Sequence, residues 1–539
     1  MMNKFKKEMM NKFKKFASVA TAFAALLSCG ACKLPASGEK GVLKISSFYG
    51  GYGDTWAQKL AEGYRSYNPS VQVKVVCNTL VRDEAVTAAQ TNQTDTDIYF
   101  IDGIGVGQYC EAYGSFADLS EVYSSMPKAG EKTEEKTIAE KIRSEIVSEM
   151  QYGGDQEAFK DKYYTVPSPS GPCSLILNED ALNNALGAGQ WEEPRTTDEL
   201  FALCERIKNA NATVSVAGVS YTVYPFIYSG GAVEYWRYLY YPWIAQYDGV
   251  EKWGDFSACK KDGVYAKEAY QTEGKAKAYA QFERLVKRAN GYCDPSSMNN
   301  KYTASQKYFF QGRACMYVCG DWLEREMENA TEYKANLRMI RTPVTSDLAE
   351  KIEQTYHVSL GSDAAEKDKT LSAAVKAADE KQNAFAKLAS DAYEEVKSAR
   401  AVTFTLANSA VGFVPACSVN IDLAIDFFRY MYSDEGVKIV LNASKSYLPV
   451  INANEISADG EISGFRVSVN GISGGNTKYI YSSSKDPIRY RAGLDLYMGN
   501  EKPEVAMGKK TGAMSAAEYL QREMRLLDEK WSDYMYSIG

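Results

Sequence analysis

Three aspartates mark the positions where this chain could do polar chemistry: Asp54, Asp102 and Asp321, each next to a glycine in sequence. A carboxylate at a loop edge can accept hydrogen bonds from two hydroxyls, or work with a second carboxylate as acid and base. Asp102 closes the apolar run "DIYFID", where it could hold such hydroxyls or simply cap a turn at the following glycine. Tyr49 opens the glycine-rich stretch "YGGYG", in which the lack of side chains lets backbone come close to a ligand.

Other catalytic chemistry is sparsely supplied. His357 is the only histidine, so a Ser-His-Asp triad or a Cys-His pair would have to use it, and a multi-histidine zinc site is excluded. It lies in "EQTYHVSL", beside no nucleophile motif, and reads as structural. Of the 11 cysteines, Cys29 and Cys32 are close together and the other nine are scattered with no zinc-ribbon spacing. Cys315 and Cys319 fall in the strand-like "RACMYVC", where their separation spans about 13 Å, too far to bridge. Buried free thiols are expected. "GIGVG" at 103–107 is followed by Gln108 where a dinucleotide fingerprint needs glycine, and no acidic ribose reader follows. With no activated nucleophile, metal cluster or phosphate loop, the sequence predicts no catalysis, no cofactor and no metal ligands.

The chain of 539 residues exceeds one ordinary core and predicts two domains or large lobes. Its net charge is −7, and the segment Met1–Ser28 carries six lysines against one glutamate, so its removal would leave −12. So acidic a chain is a poor candidate for nucleic acid, whose affinity rests on Lys and Arg neutralising phosphates. Its 39 tyrosines outnumber all other aromatics, and Tyr suits surfaces that are half dry and half wet.

The elements that must position the aspartates read as alternating strands and helices. Val42–Ser47 alternates as a strand; Asp54 or Thr55 can cap a helix carrying Trp56, Leu60, Tyr64 and Tyr67, ended by Asn68-Pro69. Trp56 and Tyr64 are assigned to the core. Val71–Val76 is the next strand, and Asp97–Gly103 reads as a buried parallel strand. The order implies an α/β layer architecture, in which ligands sit beyond the carboxyl ends of strands.

The N-terminus reads as a leader. "MMNKFKKEMMNKFKKF" is a duplicated basic region, and Met10 is a possible true start. Ala17–Ser28 is an apolar run shorter than the roughly 20 residues of a spanning helix. "LLSC" resembles a bacterial lipobox ending at Cys29; Cys32 is the alternative lipidation site, and an ordinary secretory signal with an incidental cysteine is the plainer reading. Residues 29–41 then form a polar tether.

Several stretches, in order, carry a family resemblance: "YYTVPSPSGPCSLILNEDALNNAL", "EEPRTTDELFALCERIKN" with Thr196 and Glu199 spaced as a capping box, "FFQGRACMYVCGDWLEREM", "DLAIDFFRYMYSDEGVKIV" and "SYLPV". Together they resemble the family 1 extracellular solute-binding proteins of ABC importers, the maltose-binding-protein-like group, from about Val42 to Val450. The resemblance implies a periplasmic-binding-protein fold of type II, with two α/β lobes joined by a multi-strand hinge around a ligand cleft. The expected division is 42–165 plus 403–445 for one lobe and 166–402 plus 446–539 for the other. The charged, Ala-rich stretch 362–400 departs from the pattern as a helical insertion, either a solvated helix or a docking surface for the permease. The tail from Asn452 matches no tight motif and is expected to add helices to the second lobe.

The resemblance places Asp321 and Trp322 in the cleft, with the indole stacked on a pyranose ring, or else packed under the hinge. It makes Asn408 and Ser409, in "LANSAVGF", candidates on the return to the first lobe. In "YSGGAVEYWRYLYYPWIAQYDG", Trp236, Leu239 and Trp243 could line one helical stripe; Tyr228 and Trp236 are taken as cleft candidates. The implied function is capture of a carbohydrate by cleft closure and delivery to ABC permease subunits, by a monomer tied through lipid to the outer face of the cell membrane. Two rivals remain: a binding protein for a charged small solute such as a polyamine or amino acid derivative, and a secreted glycosidase using two carboxylates about 5–10 Å apart.

Overall fold

The computed structural model describes residues 38–231, 235–451, 459–460, 462–474, 476–483, 485–495 and 501–539. The leader, with Cys29 and Cys32, lies outside the described residues. Among those described, no helix is long and apolar enough to cross a membrane.

The chain opens with β1 (Val42–Phe48), α1 (Thr55–Tyr67), β2 (Gln72–Asn78) and β3 (Ile98–Asp102). β1 pairs in parallel with both β2 and β3. In α1 the residues Trp56, Leu60 and Tyr64 recur on the buried face, so the amphipathic spacing lays that helix on the sheet. The helices before the short β4 (Val166–Pro167) include α2 (Val106–Tyr113) and α3 (Ser144–Met150).

The chain then enters a second sheet at β5 (Pro172–Asn178), whose residues are all buried, as expected of a central strand covered on both faces. Next come α4 (Thr197–Ala210), β6 (Tyr224–Phe226), α5 (Arg237–Asp248), α6 (Trp253–Ala258) and α7 (Glu273–Val286). β7 (Ala314–Gly320), α8 (Leu323–Met327) and β8 (Leu337–Ile340) follow. α4 starts on half of the expected capping box. Thr196 Oγ1 accepts the Glu199 N–H at 3.3 Å, but the Glu199 carboxylate takes the Arg195 N–H at 2.7 Å.

The stretch 362–400 is two helices, α10 (Ala364–Asp379) and α11 (Ser390–Ala401), after α9 (Asp347–Tyr356). They do not merely lie in solvent. Leu371, Val375, Tyr393 and Val396 pack with Leu348 and Ile352 of α9 in an apolar cluster of their own. β9 (Val402–Thr405) returns to the second sheet and β10 (Ala410–Phe413) to the first. α12 (Ile421–Met431) and α13 (Asp434–Ser444) follow, the latter packed on α1. The tail contributes α14 (Gly464–Ile472), β11 (Lys478–Ile480) and α15 (Ala516–Ile538), the last laid on α7.

The first sheet therefore has five strands in the order β2-β1-β3-β10-β4. The second has six, β6-β7-β5-β9-β11, with β8 sharing with β9 the edge of β5 opposite β7. The backbone crosses between them at 168–171 and again at 406–409. Ser446–Val450 runs beside the first crossing, where Ser170 N–H donates to the Tyr447 carbonyl at 2.8 Å. β7, β9 and β11 run in the same direction, antiparallel to β5 or parallel to β9, so their carboxyl ends all face the first sheet.

Candidate ligand site

At the carboxyl end of β7, Asp321 is fully enclosed. Its Oδ1 accepts the Tyr52 hydroxyl at 2.8 Å and the Gly171 N–H at 3.3 Å. Its Oδ2 accepts the Ser446 hydroxyl at 2.5 Å and an Arg466 N–H at 3.4 Å. These donors come from the loop after β1, from the first crossing, from the segment beside it and from α14. Burial pushes the Asp321 carboxyl up, and the Arg466 guanidinium opposes that rise. Desolvation likewise lifts the Tyr52 hydroxyl well above its ordinary value, with the Asp321 charge adding to it, so Tyr52 is a committed donor.

Trp322 stands beside this carboxylate with 7% of its surface exposed. Tyr52, Tyr235 and Tyr238 meet its ring edge-on at centroid distances of 6.0, 6.0 and 6.2 Å. The backbone of Gly51 lies on the indole so closely that a Cβ there would sit 2.6 Å from ring atoms, which only glycine permits. Beyond the ring, Arg325 Nη2 donates to Thr55 Oγ1 at 3.1 Å, and Lys445 pairs with Glu328 at 3.3 Å. The contacts of Tyr52 with Asp321 and Trp322, and of Arg325 with Thr55, thus join the segment after β1 to the carboxyl end of β7.

Asp321 and Trp322 are the sequence candidates that meet here. Tyr49 is half exposed on the rim, its N–H bonded to Asn78. Asp54 stands at the N-cap of α1 without a capping bond from its side chain, within 3.4 Å of the Thr55 hydroxyl. Asp102 is exposed at the end of β3, paired with Ala410. Tyr228 and Trp236, expected at the cleft, are core residues: their rings pack together at 5.5 Å, and Trp236 also contacts Phe226 and Phe282. The reason is that α5 is buried on all sides, every residue from Tyr238 to Tyr247 being enclosed, so its stripe faces no cleft.

Asn408 and Ser409 lie in the second crossing itself. Asn408 Nδ2 donates to the Ser482 carbonyl at 2.8 Å, and Ser409 supplies the carbonyl that accepts the Gly103 N–H. Nearby, at the β11 edge of the second sheet, a groove of about 530 Å³ opens between α3 and α6, lined by Glu145, Glu149, Trp253, Tyr481, Lys485 and Asp486. Trp253 itself is tied by its Nε1 to the Tyr481 carbonyl at 2.7 Å.

Tyr52 and Arg466 escaped the sequence reading. Tyr52 lies within the glycine-rich "YGGYG", and its spacing from Tyr49 across two glycines is the signal the sequence offers for it. Arg466 reaches Asp321 from 145 positions away, and nothing local to either residue announces that pairing. No group of three or more potential metal ligands occurs among the described residues.

Residues 59–459 match the family described as bacterial extracellular solute-binding protein, and the chain belongs to that family. No curated protein matches it in sequence. Solved structures match its fold along nearly the whole chain. The GacH receptor of Streptomyces glaucescens, solved unliganded and with acarbose, is 16% identical, with a TM-score of 0.53 over 91% of this chain and 99% of its own. A probable secreted solute-binding lipoprotein from Streptomyces coelicolor is 11% identical, with a TM-score of 0.54 over 90% and 98%. A protein from a study of xylan utilisation by Caldanaerobius polysaccharolyticus is 14% identical, with a TM-score of 0.57 over 90% and 100%. The fold is that of periplasmic-binding-protein-like solute-binding proteins.

Proposed function

We propose that this chain is the exported, lipid-anchored solute-binding protein of an ABC importer, and that it captures an oligosaccharide between two lobes and passes it unaltered to the permease. The observation that carries the reading is the meeting of Asp321 and Trp322 with the loop after β1, at the facing carboxyl ends of both sheets. A sugar has an apolar C–H face and a hydroxylated rim; an indole beside a carboxylate complements both. Two lobes divided at 168–171 and 406–409 would bend about those crossings, and a ligand touching both lobes only when closed shifts the equilibrium toward closure. Structural likeness to a receptor solved with acarbose and to a protein of xylan utilisation supports a carbohydrate. Cys29, the acylation site in this reading, ties a monomer to the outer face of the membrane.

The test is equilibrium dialysis of the intact chain against neutral oligosaccharides, followed by chromatography of the retained sugar. Retention of an unchanged oligosaccharide is expected; conversion to shorter sugars would make the chain a glycosidase, and no retention would remove the carbohydrate.

A second reading has one specific support. The groove beside β11 is lined by Glu145, Glu149 and Asp486 together with Arg143, Lys478 and Lys485, a balanced set of charges that suits a zwitterionic small solute such as an amino acid derivative. Dialysis against a mixture of free amino acids separates the two readings.

A further inference from the structure

The loop after β1 does to Asp321 and Trp322 what a carbohydrate would do. Gly51 backbone lies close against Cδ1 and Cγ of the Trp322 indole, and the Tyr52 hydroxyl occupies Asp321 Oδ1 at 2.8 Å. Of the other three donors to Asp321, Gly171 belongs to the first crossing, Ser446 to the segment bonded beside it and Arg466 to α14, so they stay with the carboxylate when the β1 loop withdraws. Without Tyr52, Oδ1 retains a single long bond, 3.3 Å from the Gly171 N–H. That leaves a fully buried anionic acceptor short of a donor, which is costly unless a hydroxyl replaces the one removed.

We infer that Gly51 and Tyr52 are an internal stand-in for the ligand: a sugar hydroxyl takes the place of the Tyr52 hydroxyl on Asp321 Oδ1, and a sugar face takes the place of the Gly51 backbone on Trp322. This deepens the carbohydrate reading of the same site and rests on it. The contact raises the closed fraction of the unliganded cleft and competes with the ligand for Asp321 Oδ1. Tyr52 is then a positioning residue whose hydroxyl opposes binding, in contrast to a residue that touches the sugar. The sign of its effect is therefore distinctive.

Two variants of the full chain test this. Tyr52→Phe removes the hydroxyl and keeps the ring; Gly51→Ala places a methyl 2.6 Å from the indole and forces the loop away. Small-angle scattering without ligand is expected to show a larger radius of gyration for both variants than for the wild type. Calorimetry with maltotriose and xylotriose as probes is expected to show Tyr52→Phe binding about 10- to 150-fold more tightly, the equivalent of one hydrogen bond to a charged group. An unchanged envelope for both variants overturns the inference, as does weaker binding by Tyr52→Phe, which would place the hydroxyl on the ligand. If neither probe binds the wild type, the carbohydrate reading loses its support, while the scattering comparison still decides whether Tyr52 raises the closed fraction.

Discussion

Arg491 grips Glu111 with two parallel hydrogen bonds, Nε to Oε2 and Nη2 to Oε1, each 2.8 Å long. The pair ties the C-terminal segment to α2 of the first half of the chain, with Tyr490 donating to the same carboxylate at 2.5 Å and Tyr152 donating alongside. Bidentate geometry makes this the strongest kind of side-chain pairing.

Burial alone would raise the Glu111 carboxyl, but the hydrogen bonds of Arg491, Tyr152 and Tyr490 hold it below the ordinary glutamate value. Its folded-state pKa is depressed, so its contribution is present above the ordinary value of about 4.3 and is lost as pH falls through the folded one. Urea unfolding should show Glu111→Gln less stable than wild type by about 1–3 kcal/mol at pH 7. The difference should shrink in acid below about pH 4. A pH-independent difference would refute the account of this pair.

Lys275 and Glu523 form an ion pair at 2.9 Å with both side chains enclosed, joining α7 to α15. Burial lowers the Lys275 pKa and the Glu523 charge raises it, leaving it below its ordinary value. Glu523→Ala strands a buried cation and should cost about 3–5 kcal/mol. Lys275→Met combined with Glu523→Leu should recover most of that loss in the same unfolding assay. A double variant as unstable as the single one would show that packing, rather than charge, sets the cost.

Asp368 in α10 accepts Thr196 Oγ1 at 3.0 Å and Ser346 Oγ at 2.7 Å. Desolvation, with Asp198 and Glu199 nearby, pushes its carboxyl up to about 6. A raised carboxyl costs stability as pH rises from about 4 through that value, because the folded state holds the proton longer. Asp368→Asn should therefore be neutral at pH 4 and stabilising by about 1–3 kcal/mol at pH 8 in thermal or urea unfolding. A loss at pH 8 would mean that the hydrogen bonds outweigh the buried charge.

Trp236 and Trp322 should separate packing from recognition. Trp236 is enclosed by Phe226, Tyr228 and Phe282, so Trp236→Ala should lose about 3–5 kcal/mol of stability through the cavity it leaves. Calorimetric unfolding would show this as a lowered Tm; a variant with unaltered Tm would put Trp236 outside the core.

The local signals in the sequence carried a good part of the fold. Strand alternation from Val42 and the apolar run at Asp97 foretold β1 and β3, and the spacing of Trp56, Leu60 and Tyr64 foretold the buried face of α1. The "RACMYVC" strand put Asp321 and Trp322 at a carboxyl end because a strand, a glycine and an acidic residue follow each other there. Cys315 and Cys319 sit in that strand as free thiols. What the sequence could not show is which face of an all-apolar helix looks at a cleft. Trp236 sits in such a run, and periodicity has no contrast to read when Tyr238 through Tyr247 are all buried. Equally hidden were pairings made by tertiary approach: Arg466 with Asp321, and Glu111 with Arg491, join segments that have no local pattern in common.

The central claim is that a neutral oligosaccharide is held on Trp322 between the two halves of the chain. Isothermal titration of the wild type and of Trp322→Ala with oligosaccharides retained in dialysis tests it most directly. The account predicts measurable heat with wild type and affinity at least tenfold weaker for a folded Trp322→Ala, since losing an aromatic stacking partner costs on the order of 1 kcal/mol or more beyond its lost area. Equal affinity for the two proteins, or heat with polyamines alone, would contradict it.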